Sequence, residues 1–238
     1  MSDTVMYEVQ DGVAWITLNR PEVHNAIDIE MRDALWATLD AAEADSDVGV
    51  VVFRGAGDAA FSSGADISEF GTSPSYTEAR RARIELDLWG RILHFAKPTI
   101  AAIHGFALGA GCELSLLCDF RIATEDAQLG LPEAKLGYIP TAGGTQTLQR
   151  TVGIGRALDM LLTAESISAS KALEFGMLHS VIPMNRLDTE AGELARRLID
   201  QPSGALLAAR RALREGADLS LSAAIQLEAH LRKRLETA

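Results

Sequence analysis

The stretch ALGAGCELSLL, residues 107–117, puts a carboxylate into an otherwise apolar helix. Gly109 and Gly111 open the segment, and Glu113 stands on its first turn beside Cys112 and among leucines. An ionised carboxylate is costly to bury without a partner, and it usually changes its pKa instead. Two interpretations stand at this point: a half-exposed acid favoured by the dipole at a helix N-terminus, or a buried acid with a chemical role.

The segments before and after this helix alternate between strand and helix patterns. Strands are predicted at 13–18, 48–53, 99–105 and 120–123, and helices from Asp28, over 76–96 and from Gly109. The run VGVVVF at 48–53 is nearly continuous in apolar residues, which is typical of a strand buried on both faces. Because parallel strands need crossover connections, which these helices supply, the pattern predicts an α/β core.

Beyond about residue 142 the chain is predicted to be helical. Helices should start near Ala142, Gly155, Ser168, Asn185, Ser203 and Ser220, and the short apolar piece HSVIP at 179–183 interrupts them. No composition shift marks a flexible linker, so the last helices are expected to pack on the core or on a neighbouring subunit.

Composition and charge exclude several classes of function. The 33 acidic residues outnumber 22 Lys and Arg, and the formal charge of −11 argues against a nucleic-acid-binding surface. The start of the chain has no basic segment followed by an apolar run, and no stretch is long enough to span a bilayer, so a cytoplasmic protein without membrane association is expected. Cys112 and Cys118 are expected to be free, and no metal site is predicted from the spacing of His and Cys.

Three glycine-containing turns follow predicted strands, at 61–70, 104–113 and 139–146. Such turns expose backbone N–H groups, which can hold a negatively charged group at a helix N-terminus. None of the three reads G-x-G-x-x-G or G-x-x-x-x-G-K-[ST], so dinucleotide and phosphate-loop sites are disfavoured. The alternative for each turn is that glycine is needed for the backbone geometry alone.

A second acid in an apolar setting is Glu133, in LGLPEAKLG at 129–137. Pro132 before it fits the first position of a helix. If Glu113 and Glu133 face each other, desolvation and repulsion would raise the pKa of at least one of them and create an acid/base pair. A first-turn glutamate favoured by the helix dipole is the alternative, and sequence spacing alone leaves both open.

Four segments together resemble the crotonase superfamily, and within it the enoyl-CoA hydratases. They are LNRPEVHNAID at 18–28, FSSGADI at 61–67, AAIHGFALGAGCELSLLCDFRIA at 101–123 and LGLPEAKLGYIPTAGGTQTL at 129–148. The resemblance implies a spiral of ββα units with a helical C-terminal trimerisation region. It places an acyl-CoA-binding catalytic core at 1–185 and the helical region at 186–238, and it implies a homotrimer or a hexamer built from two trimers.

The resemblance also implies an activity. The backbone N–H groups of Ala65 and Ala110 would bind the thioester oxygen, and Glu113 and Glu133 would add water to a 2-enoyl-CoA to give a 3-hydroxyacyl-CoA, in fatty-acid or related acyl-CoA catabolism. Coenzyme A is then part of the substrate, and no separate cofactor is expected. Two alternatives remain: an acyl-CoA double-bond isomerase that uses one of the glutamates, and a catalytically silent acyl-CoA-binding protein.

The positions implied for the substrate and coenzyme A are Val23, His24, Ala26, Ala65, Asp66, Ile67, Ser68 and Thr141. The chain departs from the family pattern at Ser68, where relatives often have a basic residue, and at Thr141, where hydratases usually have glycine. If φ at Thr141 were positive, its side chain would cost roughly 1–2 kcal/mol of strain. The sequence also ends before the acidic stretch and last helix that relatives usually carry, so the resemblance leads us to expect a more open acyl end.

Overall fold

The computed structural model describes residues 3–69 and 86–236. Its larger sheet has the order β1-β2-β3-β5-β7-β10. The strands are β1 (Val5–Gln10), β2 (Val13–Leu18), β3 (Val50–Gly55), β5 (Thr99–Ile103), β7 (Phe120–Thr124) and β10 (Ser180–Ile182). The β1–β2 pair is an antiparallel hairpin, and every later pair is parallel. The predicted α/β core is confirmed.

A smaller sheet has the order β4-β6-β8-β9 and carries the turns that lead to the site. Its strands are β4 (Ala60–Ser62), β6 (Phe106–Leu108), β8 (Gln128–Gly130) and β9 (Ile167–Ser168). The pairs β4–β6 and β6–β8 are parallel, whereas β9 pairs antiparallel to β8. These short strands were not predicted, because two or three residues are too few to show a period of two.

The helices agree closely with the sequence pattern. They are α1 (Ile29–Ala44), α2 (Leu88–Leu93), α3 (Ala110–Leu117), α4 (Gly144–Val152), α5 (Ile154–Thr163), α6 (Ala169–Glu174), α7 (Leu187–Ile199), α8 (Ser203–Gly216) and α9 (Leu221–Leu235). Side-chain caps define several starts: Asp28 accepts from the N–H of Met31, and Ser220 accepts from the N–H of Ala223. Of the helix predicted over 76–96, the part before residue 86 lies outside the described residues.

Apolar layers cover both faces of the larger sheet. Val51 and Phe53 of β3 point into one core cluster with α1 and α3, and Val50 and Val52 point into a second cluster with α7. This period of two explains why the sequence of β3 is continuously apolar, and it confirms burial on both faces. The interior is therefore closed on both sides of the strands whose ends lead into the site.

Beyond the core, α8 and α9 form a pair of helices whose residues are mostly exposed. Arg210 and Arg214 of α8 connect this pair to the core by ion pairs with Asp119, each 2.8 Å long. Along 3–69 and 86–236, none of the helices combines the length and apolar character that crossing a membrane requires. The two cysteines are free and buried, as expected.

Candidate active site

An open cavity of about 610 Å³ lies where the glycine-containing turns meet the first residues of α1 and α3. Its lining is mainly apolar, with a few polar side chains and backbone groups, which is the usual character of a small-molecule site. Among the described residues, the lining comprises Ile27, Arg32, Ser63, Gly64, Ala65, Ile67, Trp89, Gly109, Ala110, Glu113, Pro132, Glu133, Leu136, Tyr138, Ile139, Thr141 and Ala142. All three turns predicted to expose N–H groups therefore contribute to one cavity.

Glu113 is buried on the first turn of α3, with 2% of its surface exposed. Its Oε1 accepts hydrogen bonds from the backbone N–H groups of Ala142, at 2.8 Å, and Gly144, at 2.7 Å. These donors belong to the third turn, which leads into α4. Two N–H groups stabilise negative charge on this oxygen and fix the orientation of the carboxylate.

Glu133 reaches the cavity from a short 3-10 helix, Pro132–Leu136, with Pro132 at its first position as predicted. Burial raises the pKa of the Glu133 carboxyl above its ordinary value. Its Oε2 is buried and has no hydrogen-bond partner within the described residues. A Cβ at Gly109 would lie 3.1 Å from its Oε1, so the carboxylate rests against the turn that begins α3.

The two acids therefore line the same cavity, although twenty positions separate them in the chain. The first interpretation of Glu113, a half-exposed acid at a helix N-terminus, is wrong, because its carboxylate is buried and receives two backbone donors. The structure thus joins a carboxylate held by N–H groups and a desolvated carboxyl with a raised pKa. The two carboxyl groups thus differ in their hydrogen-bond partners although both line one cavity.

The backbones at Ala65 and Ala110 also line this cavity. The Ile27 N–H donates to Gly64 O at 2.7 Å, and Ile27 O accepts from the Asp66 N–H at 3.0 Å. In this parallel bridge the residue between the two contacts, Ala65, directs its own N–H away from Ile27. Ala110 is the first residue of α3, where a backbone N–H has no partner within the helix. Two main-chain donors are thus available beside the two acids.

Glycines allow the two turns that carry these donors to touch. A Cβ on Gly111 would lie 2.5 Å from Ser62 O, and a Cβ on Gly64 would lie 2.9 Å from Leu108 O. Gly64 also has φ of 107°, which disfavours any residue with a side chain. Close approach of the backbones, rather than flexibility, explains glycine at these two positions.

The positions implied for the substrate and coenzyme A divide into two groups. Ala65, Ile67 and Thr141 line the cavity, whereas Val23, His24, Ala26, Asp66 and Ser68 are not among its lining residues. The second group lies along the adjacent turns, where Ser63 N–H donates to His24 O at 2.9 Å and Arg20 donates to Ala26 O at 2.8 Å. Hydrogen bonds from Ser68 and Arg20 lower the pKa of Asp66.

The strain considered for Thr141 is absent. The left-handed residue of the turn is Gly143, with φ of 100°, and Thr141 is not among the non-glycine residues with positive φ. Since Gly143 precedes α4 and takes the unusual conformation, a threonine at 141 carries no such penalty. The condition on which that strain depended, a positive φ at Thr141, is not met.

Sequence reasoning did not identify several lining residues. Leu136, Tyr138 and Ile139 follow Glu133 and are all more than half exposed, and Trp89 comes from α2. The apolar and aromatic character of the residues just after Glu133 was a usable signal for the first three. Arg32 gave no signal, because one basic residue on an amphipathic helix is ordinary.

Among residues 3–69 and 86–236, no three His, Cys, Asp or Glu side chains cluster as metal ligands.

The fold and the cavity define an α/β protein of the crotonase type, in which main-chain donors and acidic side chains line one open cavity. Comparison with known proteins agrees: the chain belongs to the enoyl-CoA hydratase/isomerase family, which matches residues 8–237. A probable enoyl-CoA hydratase of Rhizobium meliloti is 38% identical, and the alignment covers 96% of this chain and 88% of that protein.

Two further relatives give the same assignment. The 2,3-dehydroadipyl-CoA hydratase of Escherichia coli is 40% identical over 93% of this chain and 86% of its own length. The crystal structure of enoyl-CoA hydratase from Bacillus anthracis superposes with a TM-score of 0.93 at 34% identity, covering 99% of this chain and 92% of that one. The family predicted from the four segments is confirmed, and the fold is that of its solved members.

Proposed function

We propose that this protein adds water across the 2,3-double bond of an enoyl-CoA thioester. The observation that carries the proposal is the meeting of two carboxylates, Glu113 and Glu133, with the main-chain donors of Ala65 and Ala110 in one cavity. The relatives named as hydratases support the same reaction. An isomerase needs only one of the two acids, so the pair favours hydration.

In the proposed reaction, the N–H groups of Ala65 and Ala110 bind the thioester oxygen. As water attacks the β-carbon, the electrons of the double bond move towards the thioester, and negative charge develops on that oxygen. Fixed backbone donors stabilise this enolate and contribute typically ~3 kcal/mol each to lowering the barrier. Because the donors are main-chain groups, alanine at both positions is compatible with the role.

The two acids take different parts in this proposal. Glu113, whose Oε1 is held by the N–H groups of Ala142 and Gly144, acts as the base and removes a proton from the attacking water. We assign to Glu133 the delivery of a proton to the α-carbon, because burial raises its pKa and so favours its protonated form. The water oxygen bonds to the β-carbon, and the product is a 3-hydroxyacyl-CoA.

The test is loss of the enoyl-thioester absorbance of crotonyl-CoA with the wild-type protein and with Glu113→Gln and Glu133→Gln. We expect each variant to reduce kcat by about a hundredfold or more. Glu125→Gln, at an exposed position on the β7–β8 turn, is the matched control and should retain full activity. A folded wild-type protein that binds acyl-CoA without hydrating any enoyl-CoA would overturn the proposal, and double-bond migration instead would establish the isomerase.

We also propose that residues 186–238 mediate self-association into a homotrimer or a hexamer. The supporting observation is the number of large apolar side chains exposed on α8 and α9, including Leu213 at 76%, Leu221 at 77% and Ile225 at 56%. Exposed apolar surface of this kind marks interfaces. Sedimentation equilibrium tests the proposal, and a monomer at micromolar concentration would contradict it.

A further inference from the structure

The hydroxyl of Ser62 is buried behind the turn that carries Ala65, and the proposed hydration gives it no role. Ser62 is the last residue of β4, none of its surface is exposed, and it is not one of the described residues that line the cavity. Its Oγ donates to Asn25 O at 2.8 Å and accepts from the Gly64 N–H at 3.2 Å. One hydroxyl thus connects two main-chain segments, because it serves as donor to one and acceptor from the other.

Gly64 is held from both sides by its hydrogen bonds. Its N–H donates to Ser62 Oγ, and its carbonyl oxygen accepts from the Ile27 N–H at 2.7 Å. That carbonyl belongs to the same planar peptide group as the N–H of Ala65, and the two bonds point in opposite directions. Since glycine by itself permits many backbone conformations, the contacts at Gly64 decide where the Ala65 N–H points.

Ser62 also touches the start of α3, where Ala110 supplies the second proposed donor. A Cβ at Gly111 would lie 2.5 Å from Ser62 O, 2.7 Å from Ser62 Cβ and 2.9 Å from Ser62 Oγ. The backbone of α3 therefore packs directly on this serine. Ser62 stands between the two turns whose N–H groups must converge on one oxygen.

The carbonyl that accepts from Ser62 belongs to a residue that is itself fixed. Asn25 is fully buried, and its Nδ2 donates to Ala56 O at 2.9 Å and to Ala60 O at 2.7 Å. Its Oδ1 accepts from the Arg20 N–H at 2.9 Å. These three bonds hold Asn25 in a left-handed conformation, with φ of 55°. The Ser62 hydroxyl is thus attached to a rigid point of the fold.

We propose that the Ser62 hydroxyl is a positioning group for the two oxyanion donors. It acts through Gly64, whose N–H it binds, and so keeps the Ala65 N–H aimed at the oxygen that Ala110 also binds. Preorganised donors stabilise a developing oxyanion only when they are already in place, so a small change in their direction slows the reaction. The inference rests on the proposed function for the roles of Ala65 and Ala110.

Binding of a saturated thioester tests the positioning without catalysis. The probe is butyryl-CoA with an isotope-labelled thioester carbonyl, whose stretching band is measured by difference infrared spectroscopy. In the wild-type protein, the two donors should move this band to a lower wavenumber than in water. Ser62→Ala should reduce that displacement to about half, because hydrogen bonds weaken steeply when their angle worsens. Ser62→Cys should give an intermediate displacement, since a thiol forms only weak hydrogen bonds.

Hydration of crotonyl-CoA provides the second measurement. Ser62→Ala should lower kcat by about fivefold to tenfold with little change in KM, because the donors matter most when charge develops on the oxygen. Thr38→Val is the matched control. Thr38 is also buried, and its hydroxyl donates to Ala34 O at 2.7 Å within α1. Its loss should leave the carbonyl band and kcat at their wild-type values.

Three results would overturn the inference. A folded Ser62→Ala protein with the wild-type band and kcat would show that the turn keeps its geometry without the hydroxyl; if that variant does not fold, a wild-type band in Ser62→Cys has the same meaning. Equal losses in Thr38→Val would reduce the effect to general stability. A wild-type band that does not move on binding would remove the donors themselves. If the wild-type protein moves the band but hydrates no enoyl-CoA, the hydratase proposal fails, whereas a smaller displacement in Ser62→Ala still supports the positioning role.

Discussion

Gly144 N donates to Glu113 Oε1 over 2.7 Å, and this contact joins the first residue of α4 to the first turn of α3. A Cβ at residue 144 would lie 2.8 Å from the same oxygen and 2.9 Å from Glu113 Cγ. The absence of a side chain at 144 thus allows the backbone to reach the carboxylate. The orientation of the proposed base is set by main-chain atoms.

Gly144→Ala should therefore displace the Glu113 carboxylate. The φ of Gly144 is not positive, so the substitution tests a steric effect without backbone strain. We expect kcat to fall by about tenfold to a hundredfold, because small errors in the position of a reacting group are costly. Steady-state hydration of crotonyl-CoA measures the effect. Gly155→Ala is the matched control, since a Cβ there meets nothing within 4 Å, and equal activity losses in the two variants would refute this account.

Gly111→Ala should separate the two proposed oxyanion donors. Its Cβ would lie 2.5 Å from Ser62 O, so α3 would have to move away from the turn that carries Ala65. Overpacking of this kind should lower the free energy of unfolding by about 1–3 kcal/mol. Urea denaturation gives that number, and the kcat of the folded fraction should fall as well. Normal kcat in the folded fraction would show that the spacing of the two turns is unimportant.

The raised pKa of Glu133 should make stability depend on pH. Burial lifts the pKa in the folded state above the ordinary value of 4.5, so the folded state binds more protons than the unfolded state as this group titrates. The contribution of this group to the free energy of unfolding is therefore fully present below pH 4.5, and it is lost as pH rises through the folded-state pKa. Glu133→Gln should remove that loss.

The measurement is the difference in unfolding free energy between Glu133→Gln and wild type over a series of pH values. The difference should move in favour of the variant as pH rises from about 4 to above the folded-state pKa, and then become constant. Glu125→Gln, at an exposed position, serves as the control for the loss of one charge. A difference that does not vary with pH would contradict the assignment of a raised pKa to Glu133.

Arg214 should support the helix that carries Glu113. It pairs with Asp119 at 2.8 Å and donates to Leu93 O at 2.8 Å and to Leu117 O at 2.7 Å, so it connects the C-terminal ends of α2 and α3. Arg214→Met should lower the free energy of unfolding by about 2–3 kcal/mol. This loss is smaller than that expected for breaking a fully buried ion pair, because the Arg214 side chain is partly exposed. Thermal denaturation compares it with Arg150→Met, whose exposed ion pair should contribute little. Equal effects would refute this role.

Much of the fold was predictable from local pattern. The strands around 13–18 and 99–103, the helix after Asp28 and the helical C-terminal half followed from apolar periodicity and capping residues. The short strands of the smaller sheet were missed, because two or three residues carry no period. The positive φ considered for Thr141 belongs to Gly143, and a sequence does not show which residue of a turn becomes left-handed.

By itself, the sequence determined the order of the helices and of most strands of the larger sheet, and the presence of two acids in apolar segments, because both follow from side-chain polarity along the chain. The meeting of Glu113, Glu133 and the N–H groups of Ala65 and Ala110 was decided by tertiary structure. Backbone contacts at Gly111 and Gly144 bring distant turns together, and main-chain donors have no residue letter of their own. Arg32 joins the cavity for the same reason: its place in the wall depends on what α1 packs against, and no periodicity in the chain records that.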